Sequence, residues 1–188
     1  YTPDYNGGTV TLYAQWTRNT YTISYNLNGG SISGQPTSYN INTATFTLPT
    51  PSRNYYSFLG WTGSNGTTAQ KTVTIKNGST GNKSYTANWT PINYSISYTL
   101  NGGSISGQPT SYNVTSETFN IPAPTRTGYT FAGWTGTGLS AATKSVSVAK
   151  GSTGNRSYTA NWSLNTYKIS YTLNGGSISG QPTSYNVN

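Results

Sequence analysis

Apolar and polar residues alternate along most of this chain, which is the pattern of a β-strand with one buried face. The first such run, residues 21–27, places Tyr, Ile, Tyr and Leu on one face. Asn-Gly-Gly at 28–30 follows it and supplies residues that tolerate the positive φ of a tight turn. We therefore predict a strand that ends in a turn at Gly30.

Further segments show the same alternation. They centre on Tyr39 and Ile41, Phe46 and Leu48, Tyr56 to Trp61, Val73 and Ile75, and Tyr85 to Trp89. The last two segments flank a polar stretch at 76–81 that contains two glycines, which predicts a hairpin between them. No stretch has a convincing helical period, and a short helical turn is expected only at 52–59 or 139–144. The fold class predicted from this pattern is mainly β.

The whole pattern recurs with an offset of 73 residues. Residues 21–93 and 94–166 are identical at about 43 of 73 aligned positions. A fixed period of this length indicates tandem structural units. We predict part of a preceding repeat over 1–18, full repeats over 19–91 and 92–164, and the start of a following repeat over 165–188. We interpret the chain as a segment of a longer array.

The joins between repeats are short. Four residues separate Trp89 from Tyr94, and four separate Trp162 from Tyr167. Such joins are too short to behave as free coil. We expect neighbouring repeats to have a restricted relative orientation, so that the array forms a semi-rigid string.

Each repeat is small and poor in aliphatic residues, so aromatic rings must supply much of its core. The chain has 17 Tyr and 5 Trp. The phase of Trp61, Trp89, Trp134 and Trp162 within their segments predicts that these rings are buried. The alternative is that they are stacking platforms for sugar rings.

Ten basic residues against two acidic ones give a net charge of +8. A basic surface attracts anionic polymers, and cations recur at equivalent positions of the two full repeats. The candidate anionic-ligand surface comprises Arg53, Lys71, Lys83, Arg126, Lys144 and Arg156. The alternative is that these charges only maintain solubility. The cations are scattered, so no specific nucleic-acid partner is expected.

The chain lacks the usual side chains of catalysis. It has no His or Cys, and Asp4 and Glu117 are its only acids. Disulfides, the usual zinc sites and paired carboxylates are therefore excluded. We expect no enzyme activity, no metal and no cofactor. No apolar run reaches the length of a transmembrane segment.

Three motifs occur in a fixed order in the second repeat: Leu-Asn-Gly-Gly at 100–103, Pro-Ala-Pro-Thr-Arg-Thr-Gly-Tyr-Thr-Phe-Ala-Gly-Trp at 122–134, and Tyr-Thr-Ala-Asn-Trp at 158–162. This arrangement resembles the Listeria–Bacteroides repeat family. The resemblance implies a small β-grasp-like unit, tandem copies, export, and a place in bacterial surface proteins, often adhesins. Leu-Tyr-Ala-Gln-Trp at 12–16 looks like the family's closing strand.

The first repeat departs from this pattern in one loop. It has Arg-Asn-Tyr-Tyr at 53–56 where the second has Arg-Thr-Gly-Tyr at 126–129. If Gly128 needs a positive φ, Asn54 or Tyr55 must adopt that conformation in the first repeat.

Two functions follow as expectations. The first is a structural spacer or stalk of a secreted adhesin at the bacterial cell surface, whose partners are the neighbouring repeats of the same chain. The alternative is a multivalent module that binds anionic glycans or cell-wall polymers weakly. Lateral association between copies is a further possibility.

Overall fold

A computed structural model describes Thr9 and residues 11–188. The chain divides into two compact units between Thr90 and Pro91, and the second unit includes the start of the following repeat. The first repeat contains seven strands: β1 (Tyr21–Asn26), β2 (Ser38–Tyr39), β3 (Phe46–Thr47), β4 (Tyr56–Gly63), β5 (Gly66–Gln70), β6 (Thr74–Ile75) and β7 (Lys83–Pro91).

The second repeat contains six strands, and two more lie in the residues that follow it. They are β8 (Tyr94–Thr99), β9 (Ser111–Tyr112), β10 (Phe119–Ile121), β11 (Tyr129–Gly136), β12 (Val146–Val148), β13 (Arg156–Leu164), β14 (Tyr167–Lys168) and β15 (Ser184–Tyr185). The described residues contain no helix. The mainly-β fold class is therefore confirmed, while the β-grasp-like assignment stays a prediction.

The main sheet of each repeat has its first and last long strands side by side. The order in the first repeat is β2-β1-β7-β4-β5, and β1 runs parallel to β7 with Tyr25 opposite Tyr85. In the second repeat β8 runs parallel to β13, which also pairs antiparallel with β11. The last long strand of each repeat thus lies in the interior of the sheet, next to the first long strand. This pairing brings the N-terminal and C-terminal strands of the repeat together.

A short two-stranded ladder covers one face of each sheet. It is formed by β3 and β6 in the first repeat and by β10 and β12 in the second. Leu48, Val73 and Ile75 from the ladder region meet Ile23 and Trp61 from the sheet in one core. The equivalent core of the second repeat is centred on Trp134.

The four tryptophans follow the predicted burial to different degrees. Trp61 and Trp134 are each 0% exposed. Trp89 and Trp162 are partly buried against the same cores, and each indole N–H donates to a main-chain oxygen. All four rings are part of the packing, so none is a free sugar platform.

The predicted hairpin between Val73–Ile75 and Tyr85–Trp89 is wrong. β6 pairs with β3 of the ladder, whereas β7 pairs with β1 in the sheet. The polar residues between β6 and β7 cross from the ladder to the sheet. The apolar side chains of β6 enter the core from the ladder, which lies opposite the sheet. Ile41 is also exposed rather than buried, since β2 ends at Tyr39.

The expected closing strand at 12–16 is not observed. Residues 11–20 form no strand, and Trp16 is 90% exposed. In a full repeat this segment aligns with β7, which pairs with neighbours on both sides. Asp4 lies outside the described residues.

Candidate functional site

The candidate site is a groove beside the turn that follows β1. Asn28 and Gly29 adopt positive φ values of 47° and 81°, and the Gly30 N–H donates to the Leu27 carbonyl at 2.9 Å. Directly after the turn, Ser31 exchanges two main-chain hydrogen bonds of 2.8 Å with Ser52. This bridge brings Arg53 next to the turn.

The Arg53 side chain is held between the turn and an aromatic ring. Its Cζ lies 3.8 Å from the centroid of the Tyr56 ring, a cation–π stack. On the other side the guanidinium lies so close to Gly29 that a Cβ there would be 3.6 Å from Nε. The guanidinium plane is therefore held between the ring and the turn, and Arg53 lines the groove.

The second repeat reproduces this arrangement. Arg126 stacks on Tyr129 with Cζ 3.6 Å from the ring centroid, and it lies against Gly102 as Arg53 lies against Gly29. The groove volumes are similar, at about 380 Å³ for the Arg53 groove and about 350 Å³ for the Arg126 groove. The same site thus occurs once in each full repeat.

The two guanidinium groups lack protein partners within the part of the chain that the structure describes. Neither Arg53 nor Arg126 donates a hydrogen bond to another described side chain or carbonyl. The one ion pair there joins Lys150 to Glu117 at 2.6 Å. Ser31 and Ser52 hydroxyls lie 3.2 Å apart in the first groove, and Ser104 and Thr125 hydroxyls lie 3.3 Å apart in the second.

Lys83 and Arg156 lie at the other end of the sheet. Lys83 Nζ is 5.9 Å from the Tyr39 ring centroid, and Arg156 donates its Nε–H to the Tyr112 hydroxyl at 2.9 Å. Lys83 pairs with Ile23 near the start of β1, whereas the Arg53 groove follows its end. Six residues at ~3.3 Å each put roughly 20 Å between the two ends of β1.

Lys71 and Lys144 are exposed and form no ion pair or side-chain hydrogen bond among the described residues. The six predicted cations therefore do not form one continuous surface within a repeat. The structure gives Arg53 and Arg126 a defined groove, gives Lys83 and Arg156 a role in packing on tyrosine, and leaves the two lysines in solvent.

Sequence reasoning missed a contact between the second repeat and the residues that follow it. The Asn165 N–H donates to the Gly128 carbonyl at 2.9 Å, and the Thr130 hydroxyl donates to Asn165 Oδ1 at 2.6 Å. Further along, the Tyr129 hydroxyl donates to Asn188 Oδ1 at 3.1 Å. We call this set of contacts the Gly128 seat.

Gly128 is needed in this seat for two reasons. Its φ is 76°, and a Cβ would lie 2.4 Å from Cγ1 of Val187. The first repeat has Tyr55 at this position, also with a positive φ, 67°, and its side chain is 50% exposed. The Gly-to-Tyr difference between repeats was the sequence signal, but nothing in the sequence indicated what lies against Gly128.

Two partly buried tyrosines have raised pKa values. Burial raises the pKa of Tyr25 to about 12, with a further contribution from Tyr85. Burial likewise raises the pKa of Tyr98 to about 12, with a contribution from Tyr158. These hydroxyls donate to main-chain carbonyls in the core, so they act as packing groups that hold their protons.

The described residues contain no cluster of three metal-ligating side chains. They also contain no helix that is long and apolar enough to cross a membrane.

Fold and repeats together define a mainly-β tandem-repeat protein. The chain belongs to the Listeria–Bacteroides repeat family, because the model of the Listeria-Bacteroides repeat domain matches residues 21–88 and 94–153. The resemblance seen in the motifs is therefore confirmed.

Two curated relatives from Evansella cellulosilytica are each 30% identical to the chain over 168 residues, or 89% of its length. One is provisionally named a membrane protein and the other a Gly-rich membrane protein. The chain spans 25% of the length of the first and 19% of the second. No solved structure matches the chain significantly.

Proposed function

We propose that these repeats are a non-catalytic spacer in a bacterial cell-surface adhesin, where they hold another domain away from the cell. The observation that carries this proposal is the Gly128 seat. The residues that join the second repeat to the next are hydrogen-bonded to the start of β11, so this join is part of the folded structure.

The architecture of each repeat supports the same role. The first and last long strands lie side by side and parallel in the main sheet. Parallel neighbours have their chain entry and exit at opposite ends of the strands. A repeat of this kind separates its two connections by the length of the sheet, which suits a spacer.

The comparisons support the part of the proposal that places these repeats at the cell surface. The chain belongs to a repeat family, and the relatives that contain similar sequence carry membrane-protein names. The chain matches only a part of each relative, which agrees with a segment that connects other regions. Adhesion itself would reside in those regions.

The proposal is tested by varying the number of repeats between a membrane anchor and a fluorescent tag on a cell surface. Added copies of residues 92–164 should raise the tag above the membrane by equal increments. A Gly/Ser linker of equal length is the control, since its reach grows only as the square root of length. If the repeats follow the same square-root curve as the linker, the spacer role is wrong.

A further inference from the structure

The grooves at Arg53 and Arg126 contain guanidinium N–H donors that neither the packing of the repeats nor the spacer role uses. Arg53 and Arg126 are each partly buried, and each guanidinium stacks on a tyrosine ring. Neither guanidinium has a hydrogen-bond acceptor among the described residues. Arg156 shows the contrast, because its Nε–H is used within the fold.

The guanidinium is also oriented before any ligand binds. The tyrosine ring lies on one face and the glycine of the turn on the other. An arginine held in this way presents its N–H edge as a planar fork, which matches two oxygens of a carboxylate. Binding would then require little further ordering of the side chain.

The surroundings of the fork define the ligand. The first groove is lined by Gly29, Gly30, Ser31, Ser52, Arg53, Asn54 and Tyr56. These residues include one cation, two serine hydroxyls, one phenol and one amide, which suit one carboxylate flanked by sugar hydroxyls. No lysine lines either groove, so the second charge of a phosphate monoester would have no partner.

The second groove has the same chemistry despite two substitutions. Thr125 replaces Ser52 and Thr127 replaces Asn54, which keeps a hydroxyl or amide at each position. Ser104 and Arg126 are unchanged relative to Ser31 and Arg53. The chain therefore has two equivalent sites.

We propose that the Arg53 and Arg126 grooves each bind the carboxylate of a uronic acid unit in an acidic polysaccharide. The arginine fork binds the carboxylate, and the paired hydroxyls of the groove bind neighbouring sugar hydroxyls. The array is then a spacer that also attaches to acidic glycans along its length.

The experiment is a calorimetric titration of the full chain with oligogalacturonate, with neutral galactose oligomers and inorganic polyphosphate as parallel probes. The unsubstituted chain should bind oligogalacturonate at two equivalent sites and should not bind the neutral oligomer. Arg53→Gln and Arg126→Gln should each halve the stoichiometry, and the double variant should lose binding at least tenfold.

The matched control is Lys71→Gln with Lys144→Gln, which removes the same charge from two exposed positions and should change affinity less than twofold. Arg53→Lys with Arg126→Lys keeps the charge but loses the fork, so it should bind nearly as poorly as the glutamine variant. Unfolding midpoints of all variants establish that the fold is kept.

Three outcomes would overturn the proposal. Equal losses in the arginine and lysine variants would show that binding follows net charge alone. Unchanged binding in the double arginine variant would place the site elsewhere. Arginine-dependent binding of polyphosphate without binding of oligogalacturonate would make the grooves phosphate sites.

Discussion

The indole N–H of Trp89 donates a hydrogen bond of 2.9 Å to the carbonyl oxygen of Leu27. This bond ties the last strand of the repeat to the end of the first strand, immediately before the turn that carries the candidate site. The ring lies so close to the turn that a Cβ on Gly30 would be 2.5 Å from its Cζ2 atom. Trp162 and Gly103 repeat the relationship in the second repeat.

Gly30→Ala should therefore destabilise the first repeat by about 1–3 kcal/mol, as expected when a methyl group is forced into a packed site. The effect is purely steric, because Gly30 is not among the residues with positive φ. Denaturant unfolding measures the change. Gly176→Ala is the matched control, since only the Leu173 oxygen lies within 4 Å of the added carbon, and a similar loss in both variants would contradict the steric explanation.

Trp61→Ala should lower the free energy of unfolding by about 3–5 kcal/mol, the usual cost of removing a large buried ring. Trp61 is completely buried and contacts the rings of Tyr25, Phe58 and Tyr85. Trp16→Ala changes the same residue type at a 90% exposed position and should have little effect. Equal effects of the two variants would disprove the assignment of Trp61 to the core.

Stability should decrease at high pH because of Tyr25 and Tyr98. Their folded-state pKa values of about 12 exceed the value of about 10 in an unfolded chain. The folded state therefore holds these protons more tightly, and the resulting stability is complete below pH 10 and is lost as the pH rises towards 12. Unfolding measured across this range should show a steady decrease.

Tyrosinate absorbance provides the independent check on this pH dependence. In the folded chain Tyr25 and Tyr98, the tyrosines whose pKa rises to about 12, should ionise only near that pH; burial also raises the pKa of Tyr85. Tyr25→Phe with Tyr98→Phe should remove that late component, at the expense of the hydroxyl bonds to Pro36 and Pro109. If the late component persists in the double variant, the assignment to these two residues is wrong.

The first repeat should contain no isopeptide bond. Lys71, Lys76 and Lys83 have many asparagines nearby in sequence, but no acid lies between residues 5 and 116 to transfer the proton that amide formation requires. In the second repeat, Glu117 pairs with Lys150 at the surface. Intact-mass measurement should show no loss of ammonia, and a loss mapped to residues 21–93 would contradict this reasoning.

The sequence pattern predicted the long strands because their burial alternates every second residue. Tyr21 to Asn26 is such a strand, and its burial follows the predicted alternation. The pattern could not reveal β5, whose residues 66–70 are all exposed. It also could not choose between partners, so the parallel pairing of β1 with β7 was missed and a hairpin was predicted instead.

The sequence also predicted the candidate site only in part, because a local pattern does not show which distant segments come together. The recurrence of Arg53 and Arg126 at equivalent positions marked both residues, but Lys71 and Lys144 recur in the same way without a groove. What distinguishes the arginines is stacking on Tyr56 and Tyr129, which depends on the turn after β1 and β8. The stacked residues are only three positions apart in sequence, but the turn glycines Gly29 and Gly102 that lie against the two guanidinium groups are 24 positions before each arginine. That second contact has no local signature.

The most direct test of the spacer account measures how much the repeats move relative to each other. Ser38, Ser111 and Ser184 are equivalent, exposed positions in successive repeats, and the chain has no native Cys. Spin labels on cysteines at 111 and 184, and separately at 38 and 111, give distance distributions by double electron–electron resonance. If the repeats are a spacer with a restricted join, each pair should give one narrow distribution. Broad distributions for both pairs would contradict the spacer account.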